Sequence, residues 1–196
     1  MSPLEVAGVA TSVLAIWLTA RRNVWCWPLN LVACALYFKL FLDVRLYADM
    51  VLQALFGIGI LYGWIVWSRG RRDTGQVVVM PLPGRRAVAG IAAGTLGALA
   101  IGWFTSRHTD AALPWMDATL SSFSLVAQYW TARRHAESWL LWIGVDTLYV
   151  GMFLVKGLAL TAGLYAAMIV LAVLGYRQWR RASIDAARMR AADTVA

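Results

Sequence analysis

Trp139-Leu140-Leu141-Trp142-Ile143-Gly144-Val145-Asp146-Thr147-Leu148-Tyr149 holds one charged group inside an apolar run of membrane length. At about 100° per helical residue, Trp139, Trp142, Asp146, Tyr149 and Phe153 fall within an arc of about 80° on one face. A carboxylate at that depth costs roughly 3 kcal/mol or more, so it faces a cavity or a partner, not lipid. Asp146 therefore reads either as the wall of a ligand site or as a cross-link between neighbouring helices, with the rings as packing.

The rest of the chain has the same character. It has 196 residues, 61% hydrophobic and only 14% charged, with a mean hydropathy of +0.63. That composition excludes a soluble globular domain and gives an all-α, polytopic membrane protein. The net charge of +8 then belongs to loops between spans. No nucleic-acid-binding motif accompanies it, and no nucleic-acid partner is expected. Cys26 and Cys34 lie about 12 Å apart along one helix, too far to bridge. Neither has a His or second Cys at metal spacing, so both read as packing residues, and no metal or cofactor is expected. The first apolar stretch, Leu4 to Ala20, precedes Arg21-Arg22 and follows no positive charge. That order is the reverse of a secretory signal and reads as a retained span.

Runs near the ~20 residues that cross a bilayer occur seven times, at about 4–20, 25–42, 47–67, 87–106, 114–132, 139–155 and 158–177. Seven spans place fourteen of the eighteen Lys and Arg residues on one side, leaving Lys39, Arg45, Arg107 and Lys156 on the other. By the positive-inside rule the N-terminus is outside and the C-terminus cytoplasmic. The basic amphipathic stretch after Gly175 reads as a helix lying on the cytoplasmic membrane surface.

An internal repeat sets the architecture. At a shift of 112 positions Arg21-Arg22 meets Arg133-Arg134, Trp27 meets Trp139, Tyr37 meets Tyr149, and Phe41-Leu42 meets Phe153-Leu154. Leu52 falls on Leu164, Gly63 on Gly175, Trp67 on Trp179, Glu5 on Asp117 and Ser12 on Ser124. Spans 1–3 (residues 1–67) and 5–7 (residues 113–179) are two copies of a three-helix unit. A cytoplasmic linker (68–86) and a joining helix (87–106) connect them, and a cytoplasmic tail (180–196) follows. The odd fourth span makes the copies parallel, a 3+1+3 arrangement that places a site at their interface near mid-bilayer. Gly90, Gly94, Ala98 and Gly102 give that fourth span a smooth stripe for close helix approach.

Polar residues inside the spans are the site candidates. Asp117, Ser121, Ser124 and Gln128 fall within roughly 60° on span 5. Interhelical hydrogen bonding is the alternative reading, the stronger one for the two serines. Span 2 carries Trp27, Asn30, Tyr37 and Phe41 on the matching face. Asn30 stands where the second copy has Trp142, and Cys34 where it has Asp146, as an asymmetric ligand on a pseudo-axis requires. Gln53 lies one turn deeper than Asp49 on span 3. Rings with a few amides and one carboxylate suit a flat heteroaromatic joined to a hydroxylated part. Trp25, Trp64, Trp67 and Trp179, beside arginines at span ends, are assigned to an interfacial belt.

Trp139-x-x-Trp142-x-x-x-Asp146 resembles the WxxWxxxN/D motif of the PnuC-type vitamin transporters. Trp27-Pro28, Leu46-Tyr47-Ala48-Asp49 with Gln53, Asp117 with Gln128, and the Gly63/Trp67 and Gly175/Trp179 pairs extend the likeness over residues 4–181. The resemblance implies a fold like the SWEET sugar transporters, a homotrimer, and a bacterial inner-membrane location. It also implies facilitated diffusion of nicotinamide riboside, with Trp139, Trp142 and Asp146 binding it. Related members are taken to carry thiamine, riboflavin or deoxynucleosides. With Tyr149, Gln128, Asn30, Tyr37, Gln53, Ser124 and Trp27, these residues form the expected site. No His/Asp, His/Glu or Cys/His constellation lies inside the spans, and His108 and His135 fall in loops on opposite sides, so no enzyme is expected. A non-transporting membrane interaction protein is the rival reading.

Overall fold

The computed structural model describes residues 3–43, 47–109, 113–155, 157 and 159–193. Among the described residues the chain folds into seven helices: α1 (Pro3–Ala20), α2 (Cys26–Asp43), α3 (Tyr47–Thr74), α4 (Gly84–His108), α5 (Pro114–Ala132), α6 (Ser138–Val155) and α7 (Ala159–Asp193). Arg45, Leu46 and Lys156 lie outside the described residues. The architecture is the 3+1+3 parallel-repeat membrane fold. Helices α1–α3 form one bundle and α5–α7 the other, while α3 meets α5 and α1 meets α7 between them. Under the 112-residue shift those last two contacts are mates, as a twofold arrangement requires.

The same local chemistry ends α1 and α5. Arg22 N–H donates to Thr19 O and Asn23 N–H to Leu18 O; one copy later Arg134 N–H donates to Thr131 O and His135 N–H to Trp130 O. Each is a Schellman closure, which requires a left-handed residue at its corner. Glycine normally fills that corner, yet arginine does so twice, at φ 56° (Arg22) and 66° (Arg134). A left-handed non-glycine costs about 1–2 kcal/mol, a strain borne at the same corner of both copies.

Trp27, Trp67, Trp139 and Trp179 cluster at this arginine-rich end. Trp27 meets Trp67 edge-on at 5.2 Å and 84°, and Trp139 meets Trp179 at 5.6 Å and 89°. Trp67 and Trp179 approach each other at 5.6 Å. Gly63 and Gly175 leave room for the rings of Trp27 and Trp139, where a Cβ would collide with them. Trp67 and Trp179 are fully buried, which corrects their assignment to an interfacial belt. Aromatic groups beside arginines satisfy both patterns, and the absent Cβ at Gly63 and Gly175 admits the rings of Trp27 and Trp139 that cover these two. Trp25 is 69% exposed and Trp64 37%, as belt residues are.

Helix α4 leans on α5 along its small-residue stripe. Gly90 faces Trp130, Gly94 faces Phe123 and Gly102 faces Trp115, and Ser122 donates to Gly94 O at 2.8 Å. The other face of α4 exposes Val88, Leu96 and Phe104.

Two elements run further than the hydropathy pattern indicates. Helix α3 continues to Thr74, and α7 runs unbroken for 35 residues, about 52 Å against a hydrocarbon core of ~30 Å. The basic stretch after Gly175 is thus a straight continuation of span 7, not a separate helix folded onto the surface. No glycine or proline follows Gly175 to break it. Gly75, at φ 73°, closes α3 by donating to Arg71 O. Residues 75–83 then cross the arginine-rich end. Val77 O accepts from Arg22 Nη1 at 3.4 Å, Met80 N–H donates to Arg134 O at 2.9 Å, and His135 Nδ1 bonds Met80 O at 3.1 Å. Val77 and Val79 are buried, Val77 against the tryptophan cluster. One connection therefore touches the equivalent turns of both copies.

Candidate functional site

Asp146 sits near the middle of α6, about 12 Å along the helix from Ser138 at 1.5 Å per residue. It is 7% exposed and, among the described residues, makes no hydrogen bond or ion pair within the chain. A buried carboxylate in that condition is set to receive an outside donor.

A cluster of rings on α6 and α7 includes Tyr165, which lies within its electrostatic reach. Tyr149 stacks on Phe153 at 5.9 Å and 13°, and both meet Tyr165 of α7, at 4.7 and 5.2 Å. Tyr165 lies within electrostatic reach of Tyr149, Asp146 and Tyr37. Tyr37 comes from α2, where its ring rests against Gly8 of α1, so both copies contribute to this group. The second copy's Asp146 and Tyr165 have mates in the first. Cys34 Sγ donates to Gln53 O at 3.0 Å and Oε1 at 3.3 Å, and Cys34 and Gln53 occupy the positions of Asp146 and Tyr165 in the repeat. The two halves thus meet the interface with an S–H/amide pair on one side and a carboxylate/phenol pair on the other.

Trp142 is half-buried, its Nε1 donating to Thr131 Oγ1 at 3.3 Å, with Thr131 in turn donating to Ala127 O at 2.9 Å. Gln128 is half-buried with its Cγ toward Gly59 of α3. Ser124 is buried on α5, Asn30 is half-buried on α2, and Asp117 is exposed in the first turn of α5. Trp27 and Trp139 stand apart from these. They are 1% and 3% exposed, held in the indole cluster, with no acceptor for either Nε1 among the described residues. Trp139 lies about 10 Å along α6 from Asp146. The structure therefore brings Tyr37, Asp146 and Tyr149 each within electrostatic reach of Tyr165, ties Gln53 to Cys34, and packs Trp27 and Trp139 in the indole cluster. Sequence reasoning missed Tyr165, although the shift that pairs Leu52 with Leu164 also pairs Gln53 with Tyr165. Thr131 was missed as well; nothing but its match to Thr19 marked it.

His135, in the turn before α6, titrates below its ordinary 6.5 because burial disfavours the imidazolium; Met80 O and Glu137 oppose the shift, and Arg133 and Arg86 reinforce it. Two clefts, of about 280 and 450 Å³, open at the arginine-rich end and not beside Asp146.

A family model described as "Nicotinamide mononucleotide transporter" matches residues 2–181. The riboflavin/roseoflavin transporter RibM of Streptomyces davaonensis is 28% identical, over 89% of this chain and 83% of its own. The nicotinamide riboside transporter PnuC of Escherichia coli is 24% identical, over 97% of this chain and 88% of its own. The crystal structure of the vitamin B3 transporter PnuC superposes with a TM-score of 0.73 at 23% identity, covering 93% of this chain and 82% of that one.

Proposed function

The chain belongs to the nicotinamide mononucleotide transporter family, and from that membership we propose that this membrane transporter carries nicotinamide riboside by facilitated diffusion, without chemistry on the substrate. The observation that carries the reading is Asp146, a buried mid-helix carboxylate with no hydrogen bond or ion pair among the described residues, within electrostatic reach of Tyr165, a ring that also meets Tyr149 and interacts with Tyr37 of the other copy. A pyridinium stacks on such rings, and its ribose hydroxyls donate to the carboxylate. Trp142, Gln128, Asn30, Gln53 and Ser124 complete the wall; Trp27 and Trp139 support it from within the indole cluster. The copies comprise residues 1–67 and 113–179, joined through 68–86 and 87–106, with 180–196 as the tail. They rock about the ligand. The arginine-rich end faces the cytoplasm of a bacterial inner membrane, with the N-terminus outside, and the exposed apolar face of α4 supports a homotrimer.

The test is uptake of labelled nicotinamide riboside into proteoliposomes. Entry should follow the substrate gradient and survive a protonophore. Loss of entry with the protonophore sinks uniport, and no entry at all sinks the substrate. Riboflavin is the second reading, favoured by the similarity to RibM; competition between the two vitamins decides between them.

A further inference from the structure

The cleft of about 280 Å³ at the arginine-rich end is lined by Arg21, Arg22, Asn23, Arg71, Gly75, Gln76 and Val77. Its three guanidinium groups come from two segments, the α1–α2 turn and the extension of α3, and among the described residues no acidic side chain lines it. Among the described residues, none of the three makes an ion pair. Three like charges around one concavity repel, and the field they create attracts an anion from solution.

The groups are held in place. Arg21 lies over the Trp17 ring at 4.4 Å, Arg22 bonds Val77 O at 3.4 Å, and Arg22 keeps a left-handed backbone to do so. Val77 O is neutral, so this bond orients the guanidinium without cancelling its charge. Two internal comparisons isolate the cleft. The equivalent turn of the second copy commits Arg133 to Tyr62 Oη at 3.2 Å and packs Arg134 on Gly70. The neighbouring cleft shares Arg21 and Arg22 and adds Arg181, but it also contains Asp185, which offsets part of the charge.

We propose that this cleft binds a phosphate-bearing anion, bridging the α1–α2 turn to α3 and the 75–83 connection. Arginine forks match phosphate oxygens two at a time, and the volume admits a diphosphate or a lipid headgroup. The proposal does not depend on which vitamin is carried.

The experiment titrates inorganic pyrophosphate into the full chain in phosphatidylcholine nanodiscs, reading melting temperature and calorimetric affinity. The set is repeated in nanodiscs containing phosphatidylglycerol. Pyrophosphate should raise the melting temperature, and Arg71→Gln, on an exposed helix extension, should weaken binding about tenfold. Arg133→Gln should leave it unchanged. Equal response in both lipids identifies a soluble phosphate. Stabilisation by phosphatidylglycerol that Arg71→Gln removes, with no further gain from pyrophosphate, identifies a headgroup. No shift with either anion, or equal loss in Arg71→Gln and Arg133→Gln, overturns the site, since only diffuse surface charge would remain.

Discussion

The indole Nε1 of Trp179 donates to the backbone carbonyl of Thr19 at 3.2 Å, and to Ala20 O at 3.1 Å, tying the last helix to the end of the first. Its mate, Trp67 Nε1, donates to Thr131 O at 3.2 Å. Each copy thus sends one indole N–H into the carbonyls that close a helix of the other.

Replacing Trp179 with Phe keeps a ring and removes that donor, leaving Thr19 O with the Arg22 N–H alone. The expected cost is about 1–2 kcal/mol, read as a lower midpoint in thermal or denaturant unfolding. Trp67→Phe should cost a similar amount. Because the two rings touch, the double variant should depart from additivity. A sum within error would show that the two braces act independently.

Gly63→Ala and Gly175→Ala each place a methyl group against a buried indole, of Trp27 and Trp139 respectively. Overpacking of this kind costs about 1–3 kcal/mol. Gly163→Ala, where nothing lies within 4 Å, should be neutral or slightly stabilising by helix propensity. The measurement is the same melt in one detergent, and equal melts for all three variants would contradict the packing described.

Asp146→Ala should weaken nicotinamide riboside binding about tenfold or more, as expected for loss of a charge-assisted hydrogen bond. Asp146→Asn retains an acceptor and should lose less. Tyr165→Phe keeps the stack on Tyr149 and should lose about fivefold at most. Tryptophan quenching on purified protein reads all three. Unchanged affinity in Asp146→Ala removes the carboxylate from the site.

His135 supplies the pH dependence. Its folded-state value lies below 6.5, so between that value and 6.5 the unfolded chain binds more protons. Stability is then complete above about pH 6.5 and declines as pH falls through the window. His135→Gln should flatten melting temperature against pH there. A decline of equal slope in the variant would assign the effect to other groups.

The features legible beforehand were those that recur in register. Arg21-Arg22 and Arg133-Arg134, Gly63 and Gly175, and Trp67 and Trp179 announced two copies because loops and rings matched together. Asp146 was legible because a charge inside a span has few explanations. Burial was harder to foresee. Trp67 and Trp179 look from composition like interfacial residues, and only the missing Cβ at the glycine four residues before each, which admits the partner ring that covers it, tells otherwise. Trp27 and Trp139 share a face with Asn30 and Asp146, yet their depth places them in the indole cluster, because helical periodicity fixes angle and says nothing of distance to a partner. The left-handed arginines carried no signal, since glycine or asparagine is the residue that marks such a corner.

The stretch 75–83 has no counterpart elsewhere in the chain. Its hold on both turns through Val77 and Met80 means that a molecule built from two copies of one helical unit is fastened at its arginine-rich end by a clasp that belongs to neither copy. Separating the halves there must first lift Val77 and Val79 from their seats. On the transporter reading proposed above, substitutions in that short irregular segment should change how readily this end opens while leaving the residues around Asp146 as they are.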